Sequence, residues 1–267
     1  MTPRQIIGLL PQSWRKRLTI GLVNIAEDEV RLAIGAQTLP CILRNMRRIG
    51  FSPSSIFDIG AYRGEWTKQV SSIFHNATFV MIEAQPQKLL QLEDMASKIG
   101  SDRVKVISAL LGSVRADAVT FNLMETGSSV LTENTSFSSK SILLQMTTLD
   151  NVIDENNLQA PGLVKIDAQG YELEILKGSQ RALQSAEACL LETSLIEYNK
   201  GAPLIAETVR FMSSQGFVVY DLCGQSRRQS DSALFQLDIM FVKETSITRQ
   251  TRKFWNNEPL EKFNVGA

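Results

Sequence analysis

Short apolar runs and amphipathic stretches alternate along most of the chain. The apolar runs have the length of strands and are continuous, as in a sheet covered on both faces; they span residues 56–59, 79–83, 104–108, 163–167, 189–192, 218–222 and 238–242. Amphipathic stretches typical of helices follow the first, second, fourth and fifth runs, at residues 66–74, 88–99, 173–185 and 204–215. Strand, crossover helix and strand in repetition predict an α/β fold with a seven-stranded, doubly wound and mostly parallel sheet.

Two segments depart from this alternation. Residues 118–123 and 142–146 flank a Ser/Thr-rich stretch, which predicts a pair of strands with a polar loop, inserted before a short helix at residues 149–155. Near the end of the chain, residues 235–242 follow residues 218–222 across a polar loop of about a dozen residues. We therefore predict a terminal hairpin, in which the last strand runs antiparallel.

Length and composition fit one α/β domain with appendages. The chain has 267 residues, 43% of them hydrophobic and 21% charged, which is enough to support a core of this size. We predict a helical segment at residues 1–50, the α/β domain at residues 51–244 and a polar tail at residues 245–267. The N-terminal helices are compatible with a cover over the active site, a contact between two copies in a homo-oligomer, or a position on a membrane surface.

Charge and cysteine content argue against several classes of protein. The formal net charge is zero, so the overall charge of the chain does not favour binding to nucleic acid or to an anionic membrane. Three separated cysteines and a single histidine argue against a structural zinc site or a disulfide scaffold, and favour a reducing compartment. No apolar run approaches the roughly 18–20 residues that span a bilayer, so we expect a cytoplasmic protein without a transmembrane segment.

The clearest chemical signal follows the first predicted strand. That strand ends in a glycine loop, Asp58-Ile59-Gly60-Ala61-Tyr62-Arg63-Gly64, and the second strand closes with Glu83. Ligands of open parallel sheets bind beyond the carboxyl ends of the strands, and glycines there permit close backbone approach and positive φ. The arrangement predicts a pocket for a nucleotide-type cofactor. In the alternative interpretation, the glycines are only turn residues and Asp58 is a buried cap.

The spacing of the glycines distinguishes between cofactors. A dinucleotide fingerprint reads Gly-x-Gly-x-x-Gly, but Tyr62 occupies the second glycine position, where a pyrophosphate would touch the backbone. This argues against NAD or FAD, and a P-loop is excluded because no Gly-Lys-Ser/Thr follows. The pattern suits S-adenosylmethionine, which has no phosphate and carries a positive sulfonium. Asp58 would then act near the cofactor's amino group, directly or through water, and Glu83 would accept hydrogen bonds from the ribose hydroxyls.

The chain also resembles the FkbM-type methyltransferases over roughly residues 50–243. The matching motifs are Phe57-Asp58-Ile59-Gly60-Ala61-x-x-Gly64, Ile82-Glu83-Ala84-x-Pro86, Ser108-Ala109-Leu110-Leu111-Gly112, Thr148-Leu149-Asp150 and Val164-Lys165-Ile166-Asp167-Ala168-Gln169-Gly170-Tyr171-Glu172-x-x-Ile175-Leu176-x-Gly178. The resemblance implies a class I, Rossmann-like S-adenosylmethionine-dependent fold and, usually, O-methylation. Its motifs imply cofactor contacts at Asp58, Gly60, Ala61, Gly64, Glu83 and Ala109. A common form of the last motif has Val-Glu where Ala168-Gln169 stands here, so this chain lacks one carboxylate.

Two further acids are candidate catalytic residues. An alcohol acceptor loses its proton as the methyl group is transferred, so a general base is needed. Asp167 ends the fourth predicted strand and is the leading candidate base or acceptor-orienting group, and Glu192 ends the fifth. The two carboxylates could raise each other's pKa or hold a divalent cation that acidifies the hydroxyl. Glu172 is interpreted as structural, at a first-turn position of a helix, and Lys165 is expected to pair with an acid.

These observations predict a methyltransferase that transfers the methyl group of S-adenosylmethionine to a hydroxyl of a sugar, glycan or natural-product intermediate. The expected partner is a small-molecule or glycan acceptor. The alternative from another class is a non-catalytic module that binds S-adenosylmethionine, as a regulatory or scaffold partner in a biosynthetic pathway. That module would keep Asp58, Gly60 and Glu83 but would not need Asp167 and Glu192. A nicotinamide-dependent dehydrogenase is a third and more distant interpretation.

Overall fold

The structure is a computed structural model that describes residues 38–124, 127–133 and 140–250. Most of the predicted N-terminal segment (1–50) and most of the tail (245–267) fall outside the described residues, as does much of the polar loop within residues 126–141. The proposed domain boundaries therefore stay predictions. None of the helices in the described part of the chain combines the length and the apolar character that a membrane span requires.

Helices and strands alternate in the order that the apolar runs predict. The helices are α1 (Leu39–Arg48), α2 (Glu65–Ser71), α3 (Leu89–Ile99), α4 (Leu149–Glu155), α5 (Glu172–Lys177), α6 (Gln180–Ser185) and α7 (Ile205–Ser214), with 3-10 turns at Pro86–Lys88 and Ile247–Arg249. The strands are β1 (Ser55–Ile59), β2 (Thr78–Glu83), β3 (Val104–Ser108), β4 (Leu110–Leu111), β5 (Ala116–Leu123), β6 (Lys140–Thr147), β7 (Leu163–Ile166), β8 (Ala188–Ser194), β9 (Phe217–Arg227) and β10 (Leu234–Lys243).

Seven strands form the main sheet, in the order β3-β2-β1-β7-β8-β10-β9. The pairs β3-β2, β2-β1, β1-β7 and β7-β8 are parallel, whereas β10 runs antiparallel to both β8 and β9. The predicted doubly wound sheet with an antiparallel last strand is therefore confirmed. The strand order reverses between β1 and β7, and such a switch point is where an open α/β sheet offers its ligand crevice.

Both faces of the main sheet are covered by helices. On one face, Phe57 and Ile59 of β1 belong to an apolar cluster that includes buried side chains of α4, α5, α6 and α7. On the other face, Ile56 belongs to a cluster that includes buried side chains of α1, α2 and α3. All five residues of β1 are buried, which explains why its sequence is almost continuously apolar.

A second, three-stranded sheet stands beside the first, in the order β4-β6-β5. Strands β5 and β6 are the predicted antiparallel pair. The short strand β4, which the sequence did not predict, pairs in parallel with β6 through Leu110 and Leu111. Leu110, Phe121 and Met146 form the small core of this sheet.

Two predicted elements have different bounds in the structure. The single helix predicted at residues 173–185 is two helices, α5 and α6, separated at Gly178 and Ser179. A Cβ atom on Gly178 would lie 2.1 Å from the carbonyl oxygen of Gly112, so close packing against the loop after β4 breaks the helix there. In the terminal hairpin, β9 and β10 extend further than predicted, and residues 228–233 connect them.

Candidate functional site

A cavity opens at the carboxyl ends of β1, β2 and β7, at the switch point of the main sheet. Its floor comes from the loops after these strands, and its opposite wall comes from the three-stranded sheet and the loop beyond β5. The lining includes Ile59, Gly60, Tyr62, Glu83, Gln85, Ala109, Leu110, Phe121, Ser128, Val130, Asp167, Gln169 and Tyr171. The cavity therefore combines apolar walls with a few polar groups, as ligand sites usually do.

The glycine loop is held between its two neighbouring strands. The backbone N–H groups of Gly60 and Ala61 both donate to the carbonyl oxygen of Ile82, at 2.9 and 3.2 Å. Gly60 has a φ of +71°, and a Cβ atom there would lie only 1.9 Å from the carbonyl oxygen of Asp167. Gly64, with a φ of +74°, is the N-cap of α2. A glycine is required at position 60 because the loops after β1 and β7 approach too closely for any side chain.

Glu83 is held at the wall of the cavity by two backbone groups. Its Oε2 accepts a hydrogen bond of 2.8 Å from the Tyr62 N–H, and its Oε1 accepts one of 2.9 Å from the Gln85 N–H. Each carboxylate oxygen keeps a lone pair for a ligand. Burial raises the pKa of Glu83, and the two backbone donors partly oppose this shift. Tyr62, at a φ of +51°, thus presents its amide to Glu83 instead of to a ligand phosphate.

Asp58 lies beneath the glycine loop and is not part of the cavity lining. Its side chain is 1% exposed, and its Oδ2 accepts a hydrogen bond of 2.7 Å from Thr67 Oγ1. Its Oδ1 forms an ion pair of 3.1 Å with the ammonium of Lys165, as predicted for that lysine. These contacts give Asp58 a role in supporting the loop, and its expected place near the cofactor's amino group, directly or through water, stays a prediction.

Lys165 connects the glycine loop to the loop after β7. Its Nζ donates to the carbonyl oxygen of Gly60 at 3.0 Å and lies 3.6 Å from Asp167 Oδ2. Burial alone would lower the pKa of Lys165, but the carboxylates of Asp58 and Asp167 more than offset this and hold it above its ordinary value. The ammonium therefore stays charged beneath the cavity.

Asp167 lies at the cavity surface, one residue beyond the end of β7. Its side chain is 38% exposed, so a ligand can reach it, in contrast to the buried Asp58. Its backbone N–H donates to the carbonyl oxygen of Ile59 at 3.1 Å, which continues the β1-β7 pairing. Its Oδ1 accepts a hydrogen bond of 2.9 Å from Gln169 Nε2. The lysine and the glutamine hold the Asp167 carboxylate from two sides.

Glu172 supports the loop after β7 and does not line the cavity. Its Oε1 accepts hydrogen bonds from the backbone N–H groups of Ala168 and Gly170, at 2.9 and 3.1 Å. Burial raises the pKa of Glu172 to about 7, although these backbone donors oppose the shift. The structural interpretation of Glu172 is therefore supported by its contacts.

Glu192 lies behind Asp167, in the middle of β8 and beside β10. Its Oε2 accepts a hydrogen bond of 3.0 Å from Gln169 Nε2, and Asp238 of β10 stands directly opposite it in the sheet. Burial raises the pKa of Glu192 well above its ordinary value, and the charges of Asp167, Glu172 and Asp238 raise it further. Glu192 does not line the cavity, so it is placed to act on Asp167 through Gln169 and not on an acceptor directly.

The structure gathers most of the predicted site residues around one cavity. Gly60, Glu83, Ala109 and Asp167 line it, while Ala61 and Gly64 shape the glycine loop and Glu192 stands one hydrogen bond away. Within residues 38–124, 127–133 and 140–250, no three or more His, Cys, Asp or Glu side chains are grouped as a metal ion would require. The suggested divalent cation therefore finds no support in this part of the chain.

Several lining residues were not predicted from the sequence. Leu110 and Phe121 belong to the three-stranded sheet, and Tyr171 follows the loop after β7. Their positions depend on how the second sheet folds over the first, and no local signal marks them. The sequence marks Gln169 only as a departure from a common form of the family motif, and this departure is the signal that could have predicted its role.

The strand order, the antiparallel last strand and the cavity at the switch point define a class I, Rossmann-like methyltransferase domain. Residues 58–219, more than half of the chain, match the family described as "Methyltransferase FkbM domain". The chain belongs to this FkbM methyltransferase family, as its motifs predicted.

One curated relative is the hexuronic acid methyltransferase AglP of Haloferax volcanii. It is 29% identical over 89 residues, which cover 31% of this chain and 35% of AglP, so the match spans about a third of the relative's length. Among solved structures, a precorrin-6y C5,15-methyltransferase from Geobacter metallireducens has a TM-score of 0.46 and 15% identity, covering 78% of this chain and 88% of that one. TrmK of M. capricolum, in complex with S-adenosyl-homocysteine, has a TM-score of 0.47 and 10% identity, covering 85% and 74%.

Proposed function

We propose that this protein transfers a methyl group from S-adenosylmethionine to a hydroxyl oxygen of a sugar, glycan or natural-product intermediate. The observation that carries the proposal is the position of the family's motif residues around one cavity. Gly60, Glu83, Ala109 and Asp167 belong to four separate motifs within or beside the matched domain, and they all line the same space. An acceptor site and a cofactor site can therefore adjoin each other there.

The groups that would hold the cofactor fit an adenosyl ligand better than a dinucleotide. Both oxygens of Glu83 are oriented by backbone N–H groups, so they can accept hydrogen bonds from two adjacent ribose hydroxyls. The amide of Tyr62, which a pyrophosphate would need, is already bonded to Glu83. Gly60 and Ala109 offer backbone surface without a bulky side chain at the same wall.

Asp167 is proposed as the general base. When bound, S-adenosylmethionine supplies a methyl group on a positively charged sulfur, which the acceptor oxygen takes by displacement. Asp167 accepts the hydroxyl proton as the carbon–oxygen bond forms, because it is the lining carboxylate that is not occupied by backbone donors. Lys165 and Gln169 hold this carboxylate in place, which keeps it oriented toward the acceptor. Glu192 would act behind it, through its hydrogen bond from Gln169.

A sugar acceptor is supported by the nature of the relative and of the cavity wall. AglP is a hexuronic acid methyltransferase. In this chain, Ser128 and Gln169 supply polar groups to the cavity, while Phe121 and Val130 supply apolar surface. Such a mixed lining suits a ring with hydroxyl groups on its edge and carbon–hydrogen bonds on its faces.

The proposal is tested by calorimetry and by a transfer assay. Titration with S-adenosylhomocysteine is expected to show binding at one site, and titration with NAD is expected to show none. Incubation with S-adenosylmethionine labelled in the methyl group, together with neutral, acidic and amino sugars and their oligosaccharides, should then label an acceptor. Binding of NAD in place of S-adenosylhomocysteine would overturn the proposal. Binding of S-adenosylhomocysteine without any labelled acceptor would favour the non-catalytic module.

Glu83→Gln is expected to weaken S-adenosylhomocysteine binding by about tenfold to a hundredfold, as measured by calorimetry. The amide nitrogen of a glutamine cannot accept a hydrogen bond, so either the Tyr62 or the Gln85 N–H loses its partner and one ribose contact is lost. The matched control is Glu93→Gln, because Glu93 is exposed on α3. A dissociation constant for Glu83→Gln within a factor of about two of the wild type would show that Glu83 does not bind the cofactor.

A further inference from the structure

The side-chain amide of Gln169, at the cavity wall, joins the acidic side chains of Asp167 and Glu192. Its Nε2 donates to Asp167 Oδ1 at 2.9 Å and to Glu192 Oε2 at 3.0 Å. A primary amide nitrogen has two hydrogens, so each carboxylate receives one of them. The amide thus uses its full donor capacity on the two acids that the sequence identified as candidate catalytic residues.

The backbone places Gln169 in this position at some cost. Its φ of +52° lies in the left-handed region, which residues other than glycine seldom adopt unless other contacts hold them there. Its carbonyl oxygen accepts hydrogen bonds from Ser129 Oγ at 3.0 Å and from Asn199 Nδ2 at 2.6 Å. These contacts from two other segments fix the backbone so that the amide faces the acids.

The surroundings of the amide are mostly acidic. Asp238 faces Glu192 across the sheet, and Glu172 lies in the first turn of α5 on the same loop. Lys165 is the cation that the structure places within ion-pair distance of Asp167, and Asp58 shares it. The charge of Lys165 also acts on Glu192 and opposes the rise in its pKa, while the two hydrogens of Gln169 donate directly to both acids.

We propose that Gln169 is a positioning residue whose amide hydrogens take the place that a cation would take between Asp167 and Glu192. It assembles the acid pair without a metal ion and leaves Asp167 free to face the acceptor. A glutamate, which a common form of the family motif carries at this position, would remove both amide donors and bring three acidic side chains together. The role of Asp167 as the base rests on the proposed function, whereas the bridge between the two acids is inferred only from the hydrogen bonds of Gln169.

The test exchanges amide and carboxylate groups of nearly equal shape. In EDTA, Gln169→Glu is expected to lower the melting temperature by at least about 5 °C, because both amide donors are lost and three acidic side chains then meet. Mn²⁺ should restore this variant and bind it at least about tenfold more tightly than it binds the wild type. The triple variant Asp167→Asn, Gln169→Glu, Glu192→Gln reverses the polarity of the bridge, with a central carboxylate between two amides. It should melt within about 3 °C of the wild type and should not respond to Mn²⁺.

The results can support or contradict the proposed bridge even if one of the variants does not fold. If Gln169→Glu is unfolded in EDTA and the triple variant is folded, the bridge is supported. If the triple variant remains as unstable as Gln169→Glu, or if Gln169→Glu melts like the wild type and ignores Mn²⁺, the proposal is overturned. Comparable Mn²⁺ affinity in the wild type would also overturn it. The control Gln159→Glu adds the same charge at an exposed site, where the amide donates to Ser54 Oγ. Titration of the wild type with S-adenosylhomocysteine reports separately on the proposed function.

Discussion

Asp167→Asn is expected to lower the rate of methyl transfer by about 10²–10⁴-fold while leaving the affinity for S-adenosylhomocysteine within a factor of about three. An amide oxygen cannot take the acceptor's proton, so the general base is lost. The affinity persists because the proposed ribose contacts of Glu83 are untouched. Asparagine keeps the shape of the side chain and can still accept a hydrogen bond from Gln169 Nε2.

The measurement uses the labelled acceptor found in the transfer assay, with turnover and cofactor affinity determined on the same preparation. Asp117→Asn is the matched control, because Asp117 is exposed on β5 and is not among the residues that line the cavity. Turnover within about tenfold of the wild type would remove Asp167 from the role of base. A parallel loss of turnover and cofactor affinity would instead indicate that Asp167 shapes the cofactor pocket.

Lys165→Met is expected to lower the free energy of unfolding by about 3–5 kcal/mol, the usual cost of leaving a buried charge without its partner. The Lys165 side chain is 10% exposed and that of Asp58 only 1%, so the stranded carboxylate could not be reached by solvent. The carbonyl oxygen of Gly60 would also lose its donor. The variant should therefore be less stable and should bind S-adenosylhomocysteine more weakly, because the glycine loop loses its anchor.

Urea unfolding followed by circular dichroism gives the free energy of unfolding. The double variant Lys165→Met, Asp58→Asn should recover part of the lost stability, since the introduced asparagine carries no charge and can still accept a hydrogen bond from Thr67. Lys105→Met is the control for the loss of a lysine, because Lys105 is an exposed residue of β3 whose ammonium donates to the carbonyl oxygen of Asn156. Stability of Lys165→Met equal to that of the wild type would show that the ion pair contributes nothing net.

The fold could be predicted because its strands are buried on both faces. Strands such as β1 and β7 then appear as continuous apolar runs, and crossover helices between parallel strands complete the pattern. Strand ends also mark the site, because Gly60, Glu83 and Asp167 all lie at carboxyl ends that the parallel arrangement brings to one edge. Local sequence was therefore sufficient to predict those site residues that the pairing of the strands brings together.

Sequence alone was insufficient wherever a contact joins segments that lie far apart. The break between α5 and α6 depends on Gly178 packing against Gly112, and strand β4 exists only through its pairing with β6. The end of β1 marks the position of Asp58 along the strand, but its contacts with Lys165 and Thr67 depend on residues from other segments. The bridge made by Gln169 depends on a left-handed backbone held by Ser129 and Asn199.

The division of the cavity between two sheets makes the domain modular. The groups proposed to bind the cofactor and take the proton come from loops of the main sheet, whereas Phe121, Ser128 and Val130 come from a separate insertion. A chimaera that receives residues 116–147 from another member of the family would exchange β5 and β6 and retain Glu83 and Asp167, provided that it keeps the serine at position 129 that contacts Gln169. Directed evolution of acceptor specificity can therefore begin in this segment. A successful graft should change the acceptor and leave the affinity for the cofactor unchanged.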